Sequence, residues 1–292
     1  MKKLFLLLFV MAFLFSMGAV KAQAMPIMLD ISVALPGHDD SGSPIGDANS
    51  LTGTFDEIGL YIQTTSTLLG VLPYPVPFSD IGDLRATDLL PSGSADTEGL
   101  NTYWELTGRW NDLLGSVVGN FADPSSGGTF DTYNYLSGTI NFYVDGSPDA
   151  NFGSGIGATD DVVATFTDGT PVATATLVSG VGHLFYDSLG NPTSGDTLME
   201  WKFTYMLPSF WLDQYGNDLS PYVSSIPGFW VQSMTDSNTN QVQLRAPNFI
   251  DSLHDGSMNV NVIPEPATML LLGSGLLGLA GIARKKKFFK KD

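Results

Sequence analysis

The chain has 292 residues, 43% hydrophobic and 15% charged, which excludes a disordered acidic polymer and leaves enough apolar material to bury a core. It contains no cysteine, so a disulfide scaffold, a thiolate metal site and a cysteine nucleophile are excluded together. The formal charge of −17 is unevenly placed: from Met25 to Ile263 only Arg85, Arg109, Lys202 and Arg245 face 28 acids, a net of −24 that repels nucleic-acid phosphates.

At the N-terminus Lys2 and Lys3 precede an uncharged run from Leu4 to Met17, and Ala22-Gln23-Ala24 places small residues at both positions that signal peptidase reads. This pattern predicts a secretory signal peptide over residues 1–24, handled by the translocon and by signal peptidase through Ala22 and Ala24. The apolar run is too short to cross a hydrocarbon core about 30 Å thick.

From Met25 to Ile263, short runs rich in Val, Ile, Thr, Tyr, Phe and Trp are cut by clusters of Gly, Pro, Asn, Asp and Ser, with no sustained helical period. Strands are predicted at Asp30 to Leu35, Phe55 to Gln63, Tyr103 to Trp110, around Ile140-Phe142-Val144, Asp161 to Phe166, Val172 to Ser179, Val181 to Tyr186, around Trp201-Phe203-Tyr205, Phe229 to Met234 and Gln241 to Arg245. Alternation of apolar with polar residues in several of these marks strands half buried on a sheet. The expectation is an all-β protein: one antiparallel sandwich or jelly-roll-like domain over residues 25–263, with a hairpin loop from Asp187 to Asp196.

Candidate chemistry in this domain is sparse. A serine or threonine nucleophile would need a base, and only His38, His183 and His254 exist, with no Gly-x-Ser-x-Gly elbow. Paired carboxylates could hydrolyse a glycosidic bond, but 28 acids give no way to choose a pair. Gly153-Ser154-Gly155-Ile156-Gly157 lacks the strand and helix of a phosphate loop and is expected to be a flexible loop. Asp236-Ser237-Asn238-Thr239-Asn240 has the spacing of a calcium loop without its glycine and glutamate, so a hairpin turn is expected there. Asp39, Asp40 and Asp47, or Asp160 and Asp161, would equally suit structural calcium. Otherwise no cofactor or metal is expected. Trp104, Trp110, Trp211 and Trp230 are either core or platforms for sugar rings.

At the C-terminus Pro264-Glu265-Pro266 leads into an uncharged stretch from Ala267 to Ala283, followed at once by Arg284-Lys285-Lys286-Lys287. A helix over 267–283 would reach about 25 Å, just enough to cross a bilayer, and the basic tail 284–292 should stay cytoplasmic. The two prolines keep the backbone around Glu265 extended. This order of motif, short hydrophobic helix and basic tail resembles the PEP-CTERM sorting signal of Gram-negative bacteria and covers residues 264–292. The resemblance implies that an exosortase recognises and cleaves the chain near Pro264, Glu265 and Pro266, which are then substrate rather than catalyst. It also implies an inner-membrane intermediate followed by delivery to the cell surface or the extracellular matrix. The bland alternative is a permanent C-terminal anchor. Asn49-Ser50-Leu51-Thr52-Gly53-Thr54-Phe55, Asp161-Val162-Val163-Ala164, Leu177-Val178-Ser179-Gly180 and Gly228-Phe229-Trp230 diffusely resemble flocculation-associated proteins carrying the same tail.

The expectation is therefore a non-enzymatic exported protein associated with exopolysaccharide, biofilm or flocculation. The alternative is a secreted polysaccharide-binding module or glycoside hydrolase.

Overall fold

The computed structural model describes residues 26–37, 51–71, 73–90, 99–124, 126–225, 229–245 and 248–264. The expected signal peptide with Ala22 and Ala24, and the tail with Glu265, Pro266, the helix over 267–283 and Arg284 to Lys287, lie outside them. Among the described residues no helix is long and apolar enough to cross a membrane.

The chain forms β1 (Ile27–Leu29), a one-turn helix α1 (Ile31–Ala34), then β2 (Glu57–Leu68), β3 (Val76–Leu90), β4 (Glu105–Ala122), β5 (Thr129–Ser137), β6 (Thr139–Asp145), β7 (Thr170–Tyr186), β8 (Pro192–Met206), β9 (Trp211–Asp213), a short helix α2 (Ser220–Ser224), β10 (Phe229–Arg245) and β11 (Phe249–Pro264). β5 and β6 occupy one lane between β4 and β7, with Gly138 between them. A Cβ on Gly138 would lie 2.5 Å from Leu113 Cδ1, so the break sits where two backbones approach closely. Counting that lane once, eight antiparallel strands pair in chain order from β2 to β11. The ladder closes because β11 also pairs with β2, Phe249 opposite Thr67 through Met258 opposite Ile58.

Sequential neighbours and a closed ladder replace the expected sandwich or jelly roll, whose strands jump between sheets. The physical reason lies in strand length. Val172–Ser179 and Val181–Tyr186 are one 17-residue strand, and so are Phe229–Met234 and Gln241–Arg245. Strands this long, tilted around an axis, close on themselves and leave no edge. Two expected strands are corrected outright: Asp30 to Leu35 holds α1, and Asp161 to Phe166 holds a 3₁₀ turn at Val163–Phe166.

The two ends differ. At one end the strands are joined by short connections around residues 69–75, 123–128, 187–191 and 246–248. The turn Asp187-Ser188-Leu189-Gly190-Asn191 shows why they are short: Asp187 Oδ1 accepts the N–H of Leu189 and of Asn191, both at 2.8 Å, while Gly190 takes φ +84°. The same Asp-x-x-Gly-Asn pattern recurs at Asp213 to Asn217, with Gly216 at φ +81°. At the other end the connections 91–104, 146–169 and 207–228 and the N-terminal segment are long. Ile27, Leu29, Ile31, Phe55, Leu100, Trp104, Phe210, Trp211 and Leu219 pack there into the core and plug the barrel. Trp211 donates its indole N–H to the Val172 carbonyl at 2.9 Å, which fixes the plug to β7.

Along β8, Asp196, Glu200 and Lys202 point outward while Thr197, Met199, Trp201 and Phe203 are buried. The outward face of this strand carries its charges, with Leu198 and Tyr205 also exposed, and its inward face is mainly apolar.

Candidate functional site

The barrel interior changes character along its axis. Near the plug it is filled by Ile58, Leu60, Leu84, Leu106, Phe142, Val144 and Phe203. Toward the short-loop end the inward positions become polar: Thr64 and Ser66 on β2, Asp80 on β3, Tyr133 and Tyr135 on β5, Thr239 on β10, Ser252 and His254 on β11.

Asp80 is fully buried, accepting a hydrogen bond from Trp110 Nε1 at 2.6 Å and from Ser66 Oγ at 2.5 Å. Burial pushes its carboxyl up to about 7, partly offset by those two donors. His254 lies between two threonines, with Thr239 Oγ1 at 3.0 Å from Nδ1 and Thr64 Oγ1 at 3.3 Å from Nε2. Burial alone lowers it to about 4, so the ring is neutral at neutral pH. Tyr133 bonds Thr197 Oγ1 at 2.9 Å, and burial raises its phenol well above the usual range.

Above this polar floor the barrel opens. A cleft of about 760 Å³ at the short-loop end is lined by Leu68, Val71, Tyr74, Val76, Val117, Asp131, Tyr186, Leu244, Arg245, Asn248, Phe249 and Ile250. It adjoins a chamber of about 50 Å³ bounded by Thr64, Ser66, Tyr133, Tyr135, Ser252 and His254, with Leu68, Val117, Asp131 and Ile250 common to both. Both charged side chains of the cleft have partners within the protein, although Arg245 Nε is buried without one. Asp131 Oδ1 accepts from Asn120 Nδ2 at 2.8 Å and from Tyr74 at 3.4 Å, and Oδ2 accepts from Tyr186 at 2.8 Å. Arg245 pairs with Asp251 at 3.1 Å, donates to Thr159 Oγ1 at 3.0 Å, and lies 5.1 Å above the Phe249 ring.

Outside the barrel, the connection 146–169 lies against β2, β3 and β4. Phe152 stacks edge-on against Tyr61 and Phe166, and Arg109 pairs with the buried Asp83. Asp161 is brought beside Asp83, and burial together with that neighbour pushes it up to about 8. Gly153, Gly155 and Gly157 belong to this connection; a Cβ on Gly157 would fall 2.3 Å from Asp251 Oδ1, so the expected flexible loop is packed down where glycine allows close approach. Glu105, Asp145 and Asp149 offer carboxylate oxygens within 4.8 Å of one another, a set that could hold a cation. Glu105 already accepts the N–H groups of Asp149 and Ala150 at 3.1 Å, and burial raises it to about 7.

Several residues singled out in the sequence are placed differently from expectation. Asp236 to Asn240 is no turn but the middle of β10, where Asp236 to Thr239 pair with both β8 and β11 and Asn240 sits in a bulge opposite β11. Asp161 lies beside Asp83 and Arg109, while Asp39, Asp40 and Asp47 lie outside the described residues. Trp104, Trp110 and Trp211 are core, at 0%, 4% and 0% exposure, so they offer no platform to a sugar ring. His183 faces outward and pairs with Asp196 at 2.7 Å, whereas His254 faces inward, so the described histidines do not meet. The Asp80 and His254 environments escaped sequence reasoning. For Asp80 the signal was there in β3, where Val76, Phe78, Asp80, Gly82, Leu84 and Ala86 keep a period of two.

Pro264 is the last residue of β11, opposite Phe229 on β10. β11 begins at the cleft with Phe249 and delivers the chain to the plugged end, about 50 Å of extended backbone away.

Comparison with known proteins bears on this end. The model of the PEP-CTERM protein-sorting motif matches residues 262–286. The chain thus carries that motif, which supports an exosortase-sorted extracellular protein with a sorting signal at its C-terminus. No curated protein matches the chain. Among solved structures, the attachment invasion locus protein Ail of Yersinia pestis in complex with the heparin analogue sucrose octasulfate is similar at 9% identity and a TM-score of 0.15, covering 70% of this chain and 95% of that one. Another structure of Ail gives 10% identity and a TM-score of 0.13 over the same shares. Backbones related this weakly do not superpose, and nothing about fold or ligand follows from them.

Proposed function

We propose that the protein is a non-enzymatic exported barrel, released from an inner-membrane intermediate by an exosortase and held at the cell surface or in the extracellular matrix, where it associates with exopolysaccharide. The observation that carries this is the direct joining of the sorting motif to β11. The family model begins at Val262, inside the strand, and Pro264 closes it. Cleavage at Pro264 to Pro266 therefore removes the signal without taking a strand from the barrel. It also leaves the cleft at the far end, pointing away from the membrane that holds the intermediate.

Association with polysaccharide is assigned to the outer surface. The exported segment carries a net charge of −24, and carboxylates such as Asp145 and Asp149 on that surface suit bridging by calcium to carboxylated sugars. The cleft itself carries one carboxylate, Asp131, already engaged by three donors, which supports binding over glycoside hydrolysis, where two carboxyl groups flank the bond. Sedimentation of the purified mature protein with its producer's own exopolysaccharide, with and without calcium, tests the reading. Saturable co-sedimentation is expected; release of reducing sugar, or no co-sedimentation in calcium, would refute it.

A further inference from the structure

We propose that the barrel cleft is a binding site for a small amphiphile, whose apolar body lies in the mouth and whose single uncharged polar group rests on the hydroxyl floor. This goes beyond the association with polysaccharide, which uses the outer wall.

Four observations converge on that ligand. The mouth is mainly aliphatic, built from Leu68, Val71, Val76, Val117, Leu244 and Phe249. Val71 is 88% and Leu244 51% exposed, an arrangement that wastes apolar surface unless something covers it. Beneath it Thr64, Ser252, Thr239, His254 and Tyr135 join the lining, whereas the polar side chains of the mouth are bonded within the protein, Tyr74 and Tyr186 to Asp131, Asn248 to the Leu68 carbonyl and Arg245 to Asp251, so a ligand seated end-on meets its hydrogen-bonding groups mainly at the inner end. The cleft of about 760 Å³ falls within the range of small-molecule sites, and eight strands make a barrel wide enough for one such molecule.

Charge and topology narrow the class further. Arg245 is charge-paired with Asp251 and lies against the Phe249 ring, and the oxygens of Asp131 are occupied by Tyr74, Tyr186 and Asn120, which disfavours an ionic head. The far end is closed by Trp104 and Trp211, so a polymer cannot pass through and only a short molecule fits. A sugar chain would find aliphatic walls where its hydroxyls need partners.

The experiment uses the mature protein and three probes: a twelve-carbon monoacylglycerol, laurate as its anionic counterpart, and a neutral tetrasaccharide. Binding is read by displacement of N-phenyl-1-naphthylamine and by calorimetry. The monoacylglycerol is expected to bind one to one and at least tenfold tighter than laurate, with no heat from the tetrasaccharide. Val117→Trp, which fills the mouth, should weaken it at least tenfold. Val71→Asp, at a site too exposed to matter for folding, should weaken it severalfold, and Tyr215→Asp at the plugged end should not change it. No binding, equal binding of laurate, preference for the tetrasaccharide, or wild-type affinity in Val71→Asp would each overturn the proposal. Co-sedimentation of the same variants with exopolysaccharide stays intact if the outer wall does that work, so the two assignments fail separately.

Discussion

Trp110 and Asp80 meet inside the barrel, the indole Nε1 of one strand donating to the carboxylate Oδ1 of the next at 2.6 Å. The pair sits where the apolar plugged half gives way to the polar half. It therefore couples core packing to a titratable group. Trp110→Phe keeps most of the ring and removes the donor. Loss of a hydrogen bond to a buried charged group costs about 1.5–3 kcal/mol. Denaturant unfolding of the mature protein should show a larger loss at pH 8, where Asp80 is ionised, than at pH 5, where it is protonated. Equal losses at both would mean that the bond matters only as packing.

Gly82 lies under the same indole. A Cβ there would fall 2.0 Å from Trp110 Cζ2, far inside van der Waals contact, so Gly82→Ala must displace the ring. Overpacking of this kind costs about 1–3 kcal/mol. Because the clash is with one side chain, Gly82→Ala combined with Trp110→Leu should be less damaging than the sum of the single changes. A double-mutant cycle measures this coupling, and strict additivity would place the strain elsewhere.

Stability should follow pH in two opposing ways. Asp80, Glu105 and Asp161 have folded pKa values raised to about 7, 7 and 8, so the stability they bring is present below their ordinary value near 4 and is lost as pH rises through 7 to 8. His254, lowered to about 4, brings stability present above its ordinary value of 6.5 and lost as pH falls toward 4. The mature protein should thus be less stable at pH 9 than at pH 6. Asp161→Asn, which removes one like charge beside Asp83, should recover part of that difference, its gain growing as pH rises from about 4 to about 8 and staying constant above. A flat profile between pH 6 and 9 would refute the assignment of these carboxyls.

Replacing Pro264, Glu265 and Pro266 by alanine should leave an unprocessed, membrane-bound form detectable by mass and by fractionation. The barrel itself should stay folded, since only Pro264 belongs to β11 and it is that strand's last residue. Unchanged maturation and delivery would remove these residues from the processing site.

The acidic exterior predicts a response to calcium beyond screening. Carboxylate oxygens coordinate calcium directly, whereas sodium chiefly shortens the Debye length. Light scattering of the mature protein should therefore rise more in millimolar calcium chloride than in sodium chloride of matched ionic strength. Identical responses would reduce the acids to a solubility feature.

What the sequence determined by itself was local or linear. The sorting signal is legible because Pro264-Glu265-Pro266, the apolar run and Arg284 to Lys287 act through their order along the chain, which needs no folding to exist. The β class is legible because alternation, as in Ile140-Phe142-Val144, is a property of a single strand. Strand lengths were harder: Pro77, Asp80, Gly82 and Asp83 hid β3, and Asn238 and Asn240 made the middle of β10 look like a turn. In the barrel Asp80, Gly82, Asp83 and Asn238 are paired on both sides and Asn240 is taken up in a bulge, and pairing outweighs propensity. Closure, the plugged end and the cleft were decided only by tertiary structure, because they depend on β11 meeting β2 nearly 200 residues apart. The same holds for the buried chemistry. Asp80 and His254 look like ordinary polar residues in the sequence, and only enclosure, with Trp110, Ser66, Thr64 and Thr239 brought from other strands, removes the water that would otherwise set their protonation.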